Sequence, residues 1–401
     1  MNDEIVMRVD EALHPDEILA LARRLVAIPS HGPECGWETE VGRALADFLS
    51  REGLEVTMPE VMAGRRNVLA VLPGAGPGLP VLMLNGHLDT VPPSGSMRYP
   101  PFGGEVHDGA LWGRGAGDMK GAVAAMASAM AALRRCGVRP HRSIVLAAVV
   151  AEESGNDGTA ALCMDGPPAS FAVVGEPTGL GLCLGHKGVD RYVITVRGRT
   201  AHGATPERGI SAILRAAHLL VGLESRLPER WRGQDSADLG RASFNIGTID
   251  GGVSRNTVPD RCTFTFDKRW VSGDSPERIK ADLVAIVDET IGRDAAEVVR
   301  DAEFERVAHP PIWIAPDHPL ARAVGSAIAG VTGGPARRVH FDAFTDAAIL
   351  HEAGTAAVIC GPADLAQAHA DDERVAVDEL LAAARIYARV ALHLDRAARA
   401  G

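Results

Sequence analysis

Residues 144–153 read Ile-Val-Leu-Ala-Ala-Val-Val-Ala-Glu-Glu. An unbroken apolar run, Ile144–Ala151, stops on two carboxylates. It is far short of the ~20 residues that span a bilayer. Its β-branched content and polar borders predict a central strand, Ile144–Val150, buried on both faces. Ligands in α/β sheets gather at strand C-termini, where Glu152 and Glu153 stand. Adjacent carboxylates point in different directions, so one can hold a metal while the other reaches a water. A solvated charge pair is the alternative, but it is costly beside eight apolar residues unless compensated.

Working outward, Asn67–Leu72, Val81–Leu84 and Ala172–Val174 are short apolar runs beside Gly or Pro, as buried strands are. Glu17–Ile28, Glu38–Glu52 and Asp118–Cys136 have helical spacing. The alternation predicts an α/β layer with a mostly parallel central sheet flanked by helices. The middle differs. Asp190–Arg197 alternates, with Tyr192, Ile194 and Val196 on one face, as in a half-solvated antiparallel strand. A helix (Ser211–Leu227), two strands (Ala242–Ile249, Cys262–Arg269) and another helix (Pro276–Ile291) follow. After about Pro310 the α/β character returns with Leu320–Val331, Ala356–Ile359 and Val377–Ala398. The expectation is a discontinuous α/β domain over 1–184 and 308–401, interrupted by a smaller α+β domain over 185–307.

Composition narrows the function. The 401 residues are 46% hydrophobic and 23% charged, ordinary globular values. With 41 Lys+Arg against 52 Asp+Glu the net charge is −11, which predicts neither a nucleic-acid nor a membrane partner. Cysteines 35, 136, 163, 183, 262 and 360 are scattered without Cys-x-x-Cys, as reduced thiols are. Met1–Asp10 shows no apolar signal region, so the expected location is cytoplasmic.

Other segments join ligand-type residues to predicted strand ends. In Asn85-Gly86-His87-Leu88-Asp89, His87 and Asp89 are two apart and share a side of an extended chain. The carboxylate can then sit behind the imidazole, as in metal sites, or simply cap a loop. Gly113–Gly121 is glycine-rich but lacks Gly-Lys-Ser/Thr and the dinucleotide spacing. Its Asp118 stands where a long helix should begin, as a ligand or as a cap. Glu176 follows a strand, and His369 follows another and its Gly361-Pro362 turn. Together His87, Asp118, Glu153, Glu176 and His369 suit two divalent cations with one bridging carboxylate. Zinc is the first expectation, with cobalt or manganese as alternatives. Glu152, left over, is the natural general base.

The segments HLDTVP (87–92), GRGAGDMKG (113–121), AEESG (151–155), GEPT (175–178), GHKG (185–188), TAHGATPERG (200–209) and GPADLAQAHADDE (361–373) resemble one family. It comprises the aminoacylases, acetylornithine deacetylases, succinyl-diaminopimelate desuccinylases and carboxypeptidase G, which are co-catalytic zinc hydrolases. The resemblance covers nearly the whole chain.

That resemblance implies specific roles. His87 and Glu176 would hold one zinc, Glu153 and His369 the other, with Asp118 bridging and followed by a cis peptide bond. Asp89 would orient His87, and Glu152 would be base and proton shuttle. The insert would be a lid and homodimerisation domain, with hinges near 180–186 and 305–310. From it His202 would reach the neighbouring subunit's site and hold the substrate carbonyl oxygen. Asn256 and Arg269 would bind the carboxylate of a small-molecule substrate. Lys187 and Thr345 are weaker candidates for substrate contacts. The implied reaction is amide hydrolysis of an N-acyl amino acid, acetylornithine-like first. Succinyl-diaminopimelate and peptides are alternatives, and a non-catalytic metal-binding homologue is a different one. Two departures concern the substrate: His186-Lys187 lacks the Arg-rich form of desuccinylases, and Phe344 stands where Gly is usual.

Overall fold

The apolar run forms a strand, Ile144–Val149, with every residue buried. In this computed structural model, which describes residues 3–76, 78, 82–166 and 168–400, it lies inside a six-stranded sheet. In chain order the strands are β1 (Glu55–Thr57), β2 (Val68–Leu72), β3 (Leu82–His87), β4 (Ile144–Val149), β5 (Phe171–Val174) and β6 (Ala356–Ile359). Their spatial order is β1-β2-β4-β3-β5-β6. Strands β4, β3, β5 and β6 run parallel, and β1 and β2 form an antiparallel margin. The mostly parallel sheet expected from sequence is therefore present. Val81, the expected first residue of β3, lies outside the described residues.

Helix Gly121–Arg135 packs on this sheet with residues 121–133 all buried. Its alanines allow a close approach, and glycines in or just after the strands make room. A Cβ on Gly86 would come 2.7 Å from the Met119 Cε, and one on Gly175 would come 2.6 Å from the Met126 Cε. The helix begins at Gly121, not at Asp118. Asp118 has φ −126° and ψ 93°, and the Asp118–Met119 peptide bond is cis. Asp118 is therefore no helix cap.

The chain divides into two compact units, Met1–Gly185 with Trp313–Gly401, and His186–Ile312. The second unit contains an antiparallel sheet in the order Ser243–Gly251, Arg261–Trp270, Gly188–Arg197, Ala296–Arg300. One face of it, with Tyr192, Ile194, Val196, Phe264 and Phe266, shares a core with helices Ala212–Arg230 and Pro276–Thr290. The three-strand expectation here is short by one. Ala296–Arg300 is a five-residue margin strand with only Val298 fully buried, too weak a pattern to read alone. Among the described residues no helix is long and apolar enough to cross a membrane.

Candidate metal centre

The C-terminal ends of β3, β4, β5 and β6 lie side by side, so the loops leaving them converge. His87 ends β3. Glu152 and Glu153 follow β4, Glu176 follows β5, and His369 lies on the loop after β6. Asp118 arrives from the irregular turn before helix Gly121–Arg135.

Asp118 sits between the two imidazoles. His87 Nε2 lies 3.0 Å from its Oδ1, and His369 Nε2 lies 3.2 Å from its Oδ2. His87 Nε2 is also 3.8 Å from Glu176, and His369 Nε2 is 2.9 Å from Glu153. Donor atoms of His87, Asp118 and Glu153 all lie within 4.8 Å of one another, as do those of His87, Glu152 and Glu176.

The sequence placed Asp89's carboxylate behind His87, and here the structure differs. The His87 Nδ1 lies 2.9 Å from the Asp89 backbone carbonyl and 3.7 Å from its carboxylate. The carboxylate instead accepts from the backbone N–H groups of Glu152 (3.1 Å) and Glu153 (2.9 Å). Asp89 thus steadies the two glutamates and orients His87 through its main chain. Ala151, just before them, has φ 62°, and His369 has φ 61°. Such left-handed non-glycine residues cost of order 1–3 kcal/mol each and cluster at functional sites.

Crowded acid groups leave a clear electrostatic signature. Burial and the neighbouring Glu176 push the Glu152 carboxyl well above the usual carboxylate range. Burial and Asp118 do the same to Glu176. Burial raises Asp89 to about 7. Hydrogen bonds to Asp118 and Glu153 lift His369 to about 10. Asp118 stays low because two histidines donate to it, against its burial. The protein alone supplies too little positive charge for these acids, and oxygen and imidazole donors at this spacing fit divalent cations. The residue set therefore passes the test for a two-metal site.

Two further residues at the centre were not among the candidates, although Asp346 sits in the segment that Phe344 opens. Asn156 donates from Nδ2 to Asp346 at 3.1 Å and lies 3.4 Å from Glu152 Oε1. Asp346 is buried in the helix Asp346–Glu352. Its neighbour Thr345 caps that helix, its hydroxyl accepting from Ala347 N–H at 3.2 Å. The Thr345 side chain is buried in this cap.

The remaining candidates belong to the second unit. His202 and Asn256 are exposed on adjoining loops, joined by a Gly203 N–H to Asn256 carbonyl bond of 2.7 Å. Arg269 lies on strand Arg261–Trp270, where its Nε donates to Asp267 at 2.8 Å. Lys187 is half-buried at the start of this unit. The structure brings His202 to Asn256 but leaves both at the far end of the strand from Arg269.

Residues 83–393 match the model of peptidase family M20/M25/M40. A probable carboxypeptidase of Aspergillus clavatus is 31% identical over 394 residues, covering 94% of this chain and 89% of that protein. An acetylornithine deacetylase of Myxococcus xanthus is 33% identical over 334 residues, covering 82% and 83%. The crystal structure of the Bacillus subtilis YXEP protein, described as a dinuclear metal-binding peptidase, superposes with a TM-score of 0.71 at 17% identity, covering 94% and 97%. With a matching family model over most of its length and a converging set of metal donors, the chain belongs to peptidase family M20/M25/M40, metal-dependent hydrolases of amide and peptide bonds.

Proposed function

We propose that the protein hydrolyses the amide bond of an N-acyl amino acid, with acetylornithine-like deacylation as the first expectation. The carrying observation is a sixth donor, Glu152, inside a cluster that already holds two histidines and three other carboxylates. His87, Asp118 and Glu176 would hold one cation, and Asp118, Glu153 and His369 the other. Two divalent cations, zinc first, would polarise the scissile carbonyl and make a water acidic near neutral pH. Glu152 takes the water's proton on a carboxylate oxygen and passes it to the leaving amine nitrogen. Asp89 holds the Glu152 main chain, and the Asn156 amide faces its carboxylate.

The second unit handles recognition. Arg269 offers a guanidinium fork that matches both oxygens of the substrate's carboxylate, with Lys187 as a further contact. His202 donates to the carbonyl oxygen as charge develops there, and Asn256, on the loop beside it, is a further contact to the substrate's carboxylate. Along strand Arg261–Trp270, Arg269 is separated from the His202–Asn256 loops by roughly 25 Å at ~3.3 Å per residue. One small substrate cannot touch both within one copy. His202 and Asn256 therefore come from a second copy in a homodimer. The strand Ser243–Gly251 at the margin of its sheet supports this, with Leu214, Val221, Ile249 and Val253 exposed in the same unit. Such an edge is covered by pairing in many proteins. A cytoplasmic setting accords with six free cysteines.

A carboxypeptidase or dipeptidase, as in the named relative, uses the same chemistry with a different pocket. Amine release is measured from N-acetyl, N-succinyl and N-formyl amino acids and from dipeptides, with zinc, cobalt or manganese and with chelator. Metal-dependent turnover of N-acetyl substrates is expected. Turnover of dipeptides alone replaces deacylation by exopeptidase action, and turnover that survives full metal removal sinks the proposal.

A further inference from the structure

The glycine segment 113–118 presents converging backbone N–H groups like an anion-binding loop. Its anion comes from the chain itself. Glu373 Oε1 accepts from the N–H groups of Gly115 (2.9 Å), Gly117 (3.1 Å) and Asp118 (3.1 Å). Glu373 Oε2 accepts from Arg114 Nη1 at 2.5 Å, and the two side chains are 0% and 2% exposed. Gly113 N–H donates to the Glu373 carbonyl at 3.2 Å, and Arg114 Nη2 approaches the His369 carbonyl at 3.5 Å. Gly115 has φ 84°, and a Cβ there would lie 2.7 Å from the Thr90 Cγ2.

Asp118 and His369 lie far apart in sequence, yet their side chains meet at 3.2 Å. One buried carboxylate ties the backbone of the first to the loop of the second. An ion pair kept only for stability would gain little, because desolvation offsets its attraction. A carboxylate that gathers three N–H groups and a guanidinium does something else: it fixes a geometry.

We propose that Glu373 is a positioning residue that locks Asp118 and His369 together and thereby sets the affinity of the centre for its metal ions. This rests on the metal centre described above. The test is calorimetric titration of the chelator-stripped full chain with Zn2+ and with Co2+, beside circular dichroism and thermal unfolding of the metal-free forms. Folded Glu373→Gln should bind metal about 10–100-fold more weakly, the range seen when a ligand's supporting partner is lost. Glu373→Asp keeps the charge but falls short of the loop, and should also lose affinity. Arg114→Met should lose less, since the three N–H bonds remain. Unchanged affinity in folded Glu373→Gln, whatever its melting temperature, overturns the proposal. Full affinity in Glu373→Asp also overturns it, by making charge rather than position the cause. If Glu373→Gln does not fold, unchanged affinity in Arg114→Met overturns it instead. Wild-type protein that takes up no metal overturns the centre itself along with Glu373's role.

Discussion

The first unit gathers most of its candidate residues into one buried cluster, whereas the second leaves His202 and Asn256 exposed and apart from Arg269. His87 and Glu176 are buried at the ends of parallel strands, and Asp118 is buried in the irregular turn before helix Gly121–Arg135. Asp89 holds the main chain of Glu152 and Glu153, Asn156 joins Glu152 to Asp346, and Glu373 holds the main chain of Asp118. In the second unit His202 and Asn256 are exposed, and Arg269 has one ion-pair partner, on its own strand. The contrast teaches a division of labour. Proton and metal chemistry needs fixed atoms, which rigid strand ends supply. In the proposed function, recognition falls to the separate sheet of the second unit, where His202 and Asn256 lie beyond one end of the strand that carries Arg269 near the other.

The largest expected effect tests the rigid side. Glu152→Gln should lower kcat by about 10²–10⁴-fold while metal content is unchanged by elemental analysis. Retained turnover would move the proton transfer to another group and break the contrast at its stronger end. Next, His202→Ala should lower kcat by about 10²–10³-fold, the range for losing one oxyanion donor. Mixing it with Glu152→Gln subunits should recover some activity, because a heterodimer has one site with both residues. A verified heterodimer without recovery would mean that each unit serves its own copy.

The smallest effect concerns stability. Burial lowers His309, in the second unit, from the ordinary 6.5 to about 4. Above pH 6.5 the ring is neutral in both folded and unfolded chains. As pH falls from 6.5 toward 4 the unfolded chain gains a proton that the native one refuses, so stability is lost. His309→Gln should flatten that loss by a few degrees in Tm across this window while leaving Tm at pH 8 less affected. An identical pH slope in the variant would assign the loss to other groups.

Much of this was legible in the residues. The run 144–151 ending on Glu152-Glu153 marks a buried strand and its functional end, because continuous apolar character is what a doubly covered strand requires. His87 and Glu176 follow the same logic. Asp118 was legible as a residue but not as a conformation. Its φ and ψ and the start of the helix at Gly121 depend on the loop around it. Ala296–Arg300 was hidden because five residues at a sheet margin need little burial.

The sequence by itself determined the α/β class, the mostly parallel sheet and the ligand types, since local hydrophobic patterns and side-chain chemistry are properties of short segments. Only the tertiary structure decided which of those residues meet. It set Asp118 between two histidines, turned Asp89's carboxylate to the Glu152 and Glu153 amides, and filled the glycine loop with Glu373. Those contacts join residues distant in sequence, and their geometry exists only once the sheet has brought its strand ends side by side.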